Sequence, residues 1–142
     1  MAAGISGDFG KLDALIGRLR RTAREVHQAA AEAAAPVVER QIAQAFSSAT
    51  SPDGEPWAAL RDGSGRKPLQ GLAGDYVVYA FRGQVRVIFG KRYARFHQSG
   101  TRKMVARRFL PKGAARLPEG WRVGIRQSIV DRVRRLMTGG AL

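Results

Sequence analysis

Tyr76-Val77-Val78-Tyr79-Ala80-Phe81-Arg82-Gly83-Gln84-Val85-Arg86-Val87-Ile88-Phe89 is the stretch that decides the fold. Its first six residues are rich in β-formers, and its last six alternate Val85, Val87 and Phe89 with Arg86 and Ile88. Gly83, directly after Arg82, marks a tight turn between them, so the stretch reads as an antiparallel hairpin. Downstream, residues 93–98 read as a third short strand or an irregular turn closed by Ser99-Gly100, and residues 107–110 as a fourth edge strand.

The flanks read differently. From 8 to 48, Leu12, Leu15, Ile16, Leu19, Ala23, Val26, Ala30, Ala33, Val37, Ile42, Ala45 and Phe46 fall three and four apart with charged residues between them, the pattern of an amphipathic helix. Pro36 lies inside it and predicts a kink, or two helices meeting near Ala34 to Pro36. The Ala-rich middle lets another helix approach closely. After the hairpin region, Trp121, Ile125, Ile129, Val133 and Leu136 repeat at helical spacing, which predicts a second amphipathic helix over 119–137 with a basic wet face. Between the first helix and the hairpin, residues 49–74 are dense in Pro, Gly, Ser and Asp, with Trp57 and Leu60 as the apolar exceptions; this predicts a long protruding loop that orders against a neighbour. Helix, loop, small antiparallel sheet and helix make an α+β fold.

At 142 residues and 15.5 kDa the chain fits one domain. It has no cysteine, which excludes disulfides, thiolate metal sites and thiol nucleophiles. No apolar stretch reaches the roughly 18 residues of a membrane span, and the first residues lack a signal-peptide pattern, so the expectation is a soluble protein that stays where it is made, without a membrane partner.

Charge is the outstanding bulk feature. The formal net charge of +14 sits wholly in residues 82–142, which carry sixteen Lys or Arg against Glu119 and Asp131, whereas residues 1–81 carry nine of each sign. A half this basic seeks a polyanion or an acidic protein surface, and Arg102, Lys103, Arg107, Arg108, Arg126 and Arg134 are the partner-facing candidates.

The inventory for catalysis is thin. His27 and His97 stand seventy positions apart, and no acidic residue lies within ten positions of His97. Asp53 and Glu55 around Gly54 are bracketed by Pro52 and Pro56, which makes them turn residues rather than calcium ligands. Gly63-Ser64-Gly65-Arg66-Lys67 lacks the spacing of a phosphate loop. The expectation is no enzyme, no metal and no cofactor. Nucleic-acid binding is the rival reading, because Tyr93, Phe96 and Phe109 are interleaved with Arg92, Arg95, Arg102, Lys103, Arg107 and Arg108. The plainer alternative makes those aromatics core residues.

Three ordered blocks carry a resemblance: Ser51-Pro52-Asp53-Gly54-Glu55-Pro56-Trp57-Ala58-Ala59-Leu60, then Tyr93-Ala94-Arg95-Phe96-His97-Gln98-Ser99-Gly100, then Ala106-Arg107-Arg108-Phe109-Leu110. Together they resemble the phage virion morphogenesis, or tail completion, family, with Tyr-Ala-x-x-His-Gln-x-Gly the most specific piece. The family's Leu-x-x-Thr-Gly-x-Leu-like stretch stands here as Leu69-Gln70-Gly71-Leu72-Ala73-Gly74. The resemblance implies a neck protein of a tailed particle: a homo-oligomeric ring, six copies favoured and twelve the alternative, that joins tail to head. It further implies contact with neck, connector or tail-tube proteins bearing acidic surfaces, transient contact with DNA in the channel, and a place at the neck or tail top of the virion after assembly in the host cytoplasm. On that view Pro52, Asp53, Gly54, Trp57, Leu60, Tyr93, His97, Gln98, Gly100, Arg107, Phe109 and Leu110 are the assembly candidates, with Trp57 and Leu60 as anchors of a docking arm.

Overall fold

The computed structural model describes residues 9–113 and 116–139. Helix α1 (Phe9–Ser48) is followed by strands β1 (Tyr76–Phe81) and β2 (Gln84–Phe89), a short helix α2 (Ala94–Ser99) and helix α3 (Glu119–Thr138). The α+β architecture expected from the sequence is present, with a sheet of two strands. Asp8, the expected first residue of the long helix, lies outside the described residues.

Helix α1 runs unbroken for 40 residues, about 60 Å at 1.5 Å per residue. Pro36 does not divide it. The ring removes one N–H and crowds the carbonyl of Glu32, but both residues lie on the exposed side of the helix, where a carbonyl without a helical partner costs little. One residue on, the Ala33 carbonyl accepts the Ser128 hydroxyl of α3 at 2.6 Å. Small residues let the two helices approach: a Cβ on Gly124 would stand 3.1 Å from Val37 Cγ1. The Ala-rich middle thus meets the chain's own α3.

In the hairpin, Val77 stands opposite Ile88 and Val78 opposite Val87. The half-buried inner face, with Tyr76, Val78, Val87 and Phe89, packs on the core, while Val77 and Ile88 point outward and are exposed. Arg82 and Gly83 both take positive φ, +50° and +74°, the backbone of a two-residue I′ turn. That turn is held against α1, where Gln28 Oε1 accepts from Gly83 N at 2.9 Å. A Cβ on residue 83 would meet His27 Cβ at 2.9 Å, so the close approach requires glycine.

Phe46 centres the core. Its ring lies 5.4 Å from Phe109, 5.6 Å from Trp57 and 6.0 Å from Tyr76, with Phe89 a further 4.8 Å beyond Phe109. Ile42, Leu72 and Trp121 complete it. The 69–74 stretch, where the family pattern departs, supplies Leu72 as one of the most deeply buried side chains, set by Leu69 at φ +62° and a Leu72 N–H bond to the Leu69 carbonyl.

Two strand expectations are corrected. Residues 94–99 form α2 because Ala94 and Gln98, four apart, both turn inward, a helical and not an alternating period. Residues 107–110 form no strand and join no ladder: the N–H groups of Phe109 and Leu110, which an extended chain would point to opposite sides, converge on one side-chain oxygen, Gln98 Oε1.

Candidate assembly site

The three sequence blocks come together at one place. Helix α2 carries Gln98 to the 107–110 segment, where Oε1 accepts from the N–H groups of Phe109 and Leu110, both at 3.0 Å, and Nε2 donates to the Leu110 carbonyl at 2.7 Å. The Arg107 N–H donates to the His97 carbonyl at 2.7 Å. Trp57 from the first block donates its indole N–H to the Arg108 carbonyl at 2.7 Å. In return, Arg107 reaches back to the first block, Nε to the Ala58 carbonyl at 2.7 Å and Nη2 to the Ala59 carbonyl at 2.8 Å. Blocks separated by about fifty positions are one hydrogen-bonded knot.

This placement corrects two expectations. Trp57 is buried in the chain's own core and cannot anchor an arm on a neighbour; Leu60 is half-buried and lines a cavity with Tyr93, His97 and Arg107. The 49–74 segment is accordingly tied to the body, through Trp57, through Lys67 Nζ to the Ser47 carbonyl and through Lys91 Nζ to the Gly71 carbonyl. Arg107 is buried and spends its donors on carbonyls, so it is not partner-facing.

What protrudes is the tip of the first block. Asp53, Gly54 and Glu55 are exposed, with Pro52 half-buried beside them. Ser51 closes the turn: its N–H meets the Glu55 carbonyl at 2.7 Å, its carbonyl accepts from Gly54, and Gly54 takes φ +86°. Gly100 ends α2 at φ +75°, as a turn there demands, and a Cβ on it would stand 3.0 Å from the Ala106 nitrogen.

Phe109 is core, as expected of it, but Tyr93 and Phe96 are each 42 % exposed. They lie on the outer side of α2 because Ala94 and Gln98 occupy the inner one. Cations cover them, Arg95 at 4.6 Å over Phe96 and Lys91 at 5.9 Å over Tyr93. Arg102 and Lys103 are exposed on the tight turn between Thr101 and Met104, Arg126 and Arg134 are exposed on α3, and Arg108 and Leu110 are half-buried. Among the described residues the basic half holds one ion pair, Arg122 with Glu119. Among the described residues its other cations pair with no carboxylate, and the exposed ones, Arg102, Lys103, Arg126 and Arg134 among them, are open to a partner.

His97 is half-buried, with its ring 5.7 Å from Tyr93 in a T-shaped contact. Its Nδ1 makes no hydrogen bond within the protein. Burial first, and then the charge of Arg107, hold its pKa below the ordinary value of 6.5, so the ring is neutral at physiological pH. Among the described residues no three His, Cys, Asp or Glu side chains come together, and no helix is long and apolar enough to cross a membrane.

Sequence reasoning missed Leu72 and Ser128. Leu72 sits among turn formers and Ser128 is the one serine on an otherwise Arg-rich helix; four-residue spacing from Gly124 is the one local sign that Ser128 faces α1. Comparison with family models, with curated proteins and with solved structures gives no match.

Proposed function

We propose that this chain is a structural component of a tailed-phage or phage-derived particle, a neck or tail-completion protein that assembles into a ring joining tail to head. The observation that carries the reading is the knot: the three blocks that resemble the tail completion family are bonded to one another through Trp57, Gln98 and Arg107, as parts of one inherited unit would be. The ring's contacts fall to surfaces the body leaves open, the 53–55 tip and the outer hairpin face with Val77 and Ile88. The unpaired basic half meets acidic neighbours in the stack.

Native mass at moderate and high salt, with negative-stain imaging of particles that carry the chain, tests this. A ring of fixed copy number, or density for the chain at a head–tail junction, is expected. A chain that never associates with particles and forms no ring overturns it.

A second reading rests on the exposed pair Tyr93 and Phe96 under Lys91 and Arg95: stacking surfaces among cations suit a DNA-binding module. Duplex binding that holds at physiological salt and falls steeply as salt rises is its signature.

A further inference from the structure

Among the described residues, no other element packs on the start of α1, from Phe9 to Ala23. Phe9, Leu12, Leu15 and Leu19 are 46–61 % exposed, and the first buried residue of the helix is Ala29. Single exposed apolar residues need no explanation, but a stripe at three- and four-residue spacing along three turns does. A helix of this length without tertiary support is marginal in water, so the stripe is a surface made to be covered.

Its pattern says by what. Phe9, Leu12, Ile16, Leu19, Ala23 and Val26 alternate three and four apart, the a and d positions of a heptad, and the same seam continues into Ala33 and Val37, which face α3 antiparallel. The charges flanking it are ordered along the helix. Asp13 and Arg20 lie on one flank, the acid toward the start and the cation toward the end, both exposed and without an ion pair among the described residues. Turning a second copy end for end sets each Asp13 beside the other's Arg20, twice by symmetry, whereas a parallel copy sets Arg20 beside Leu15 of the other and forms no Asp13–Arg20 pair. The same antiparallel register sets Leu12 against the second copy's Ala23 and Ile16 against its Leu19, large against small and large against large. Arg21 falls on the face opposite the stripe and is not brought near its counterpart.

We infer that the exposed stretch of α1 pairs antiparallel with the same stretch of a second copy of this chain, through Leu12, Ile16 and Leu19 with Asp13 and Arg20 as reciprocal ion pairs. The contact is isologous and does not rest on the ring reading; it leaves the hairpin and the basic half free for other contacts.

Native mass spectrometry and sedimentation across a concentration series test it. The wild type is expected to pass from monomer to even-numbered species, undiminished by salt because the contact is chiefly apolar. Leu12→Lys with Leu19→Lys is expected to abolish that step while leaving the fluorescence of Trp57 and Trp121, both buried in the body, unchanged. Asp13→Arg alone and Arg20→Asp alone are expected to weaken pairing several-fold, and the double exchange to restore it. A wild type that is monomeric throughout overturns the inference, as does a double exchange no better than the two losses combined. Even-numbered species that persist in the Lys-substituted chain overturn it too, whether or not a ring forms, whereas a wild type that pairs but builds no ring overturns only the ring reading.

Discussion

Gln98 and Leu110 bond in both directions: the side-chain amide of Gln98 accepts from the Leu110 N–H at 3.0 Å and donates to the Leu110 carbonyl at 2.7 Å. A primary amide has the donor and acceptor of a peptide unit side by side, so Gln98 satisfies both backbone polar groups of Leu110 at once. With the Phe109 N–H held by the same oxygen, it explains how residues 107–110 are fixed without a ladder. Gln98→Glu is the sharp test. The carboxylate keeps the acceptors but sets a second lone pair against the Leu110 carbonyl, so the loss is expected at about 2 kcal/mol in chemical denaturation. Gln98→Ala, which frees three backbone groups, should cost as much or more. Wild-type stability in Gln98→Glu would show that the amide nitrogen contributes nothing.

Trp57 separates a docking residue from a core residue. Trp57→Phe keeps most of the apolar contact with Phe46 but orphans the Arg108 carbonyl, an expected cost of about 1–3 kcal/mol. The loss should appear as a lower unfolding midpoint with the oligomeric state unchanged. An unaltered midpoint with altered assembly would put Trp57 back at an interface.

Gly100 should be irreplaceable on backbone grounds. At φ +75°, with the Ala106 nitrogen 3.0 Å from a would-be Cβ, Gly100→Ala has both strain and a clash with main chain, and is expected to cost about 1–3 kcal/mol or to shift the α2 end. Equal stability of Gly100→Ala and wild type by thermal melting would contradict the turn geometry.

The helices and hairpin were legible because their evidence is local: period 3.6 over forty residues, period 2 over six, and Arg82-Gly83 between. The site was legible only in part because its evidence is not. The six residues from Tyr93 to Gln98 are too few to fix a period from their aromatics, and it is burial of Ala94 with Gln98 turned inward, four apart, that sets the helix. Residues 107–110 do alternate, with Arg107 and Phe109 inward, which is why they read as a strand; what replaced the ladder is a side chain eleven positions away. Nothing near Arg107 in sequence announces that its partners are carbonyls at 58 and 59.

The Ser128 bond to Ala33 makes the proline in α1 testable. Pro36 disturbs the turn that contains the Ala33 carbonyl, and the hydroxyl supplies a donor there at 2.6 Å. Ser128→Ala is expected to cost about 1 kcal/mol, and less in a Pro36→Ala background, where loss of the ring lets the Val37 N–H serve the Ala33 carbonyl undisturbed. Equal losses in both backgrounds would mean that the hydroxyl serves α1–α3 packing without regard to the proline.

The neutral state of His97 sets a pH dependence whose sign is fixed. Folding lowers its pKa below 6.5, by burial and then by the charge of Arg107, so the unfolded chain takes up a proton that the folded chain resists. Its contribution is therefore fully present above about pH 6.5 and is lost as pH falls through the lowered folded value. Melting temperature should drop between about pH 7 and pH 5, and the drop should be smaller in His97→Gln, which has no proton to gain. Melting curves of the two proteins that fall in parallel would assign the acid sensitivity to other groups, and would leave the buried Nδ1 of His97 as a packing feature of the Tyr93 contact.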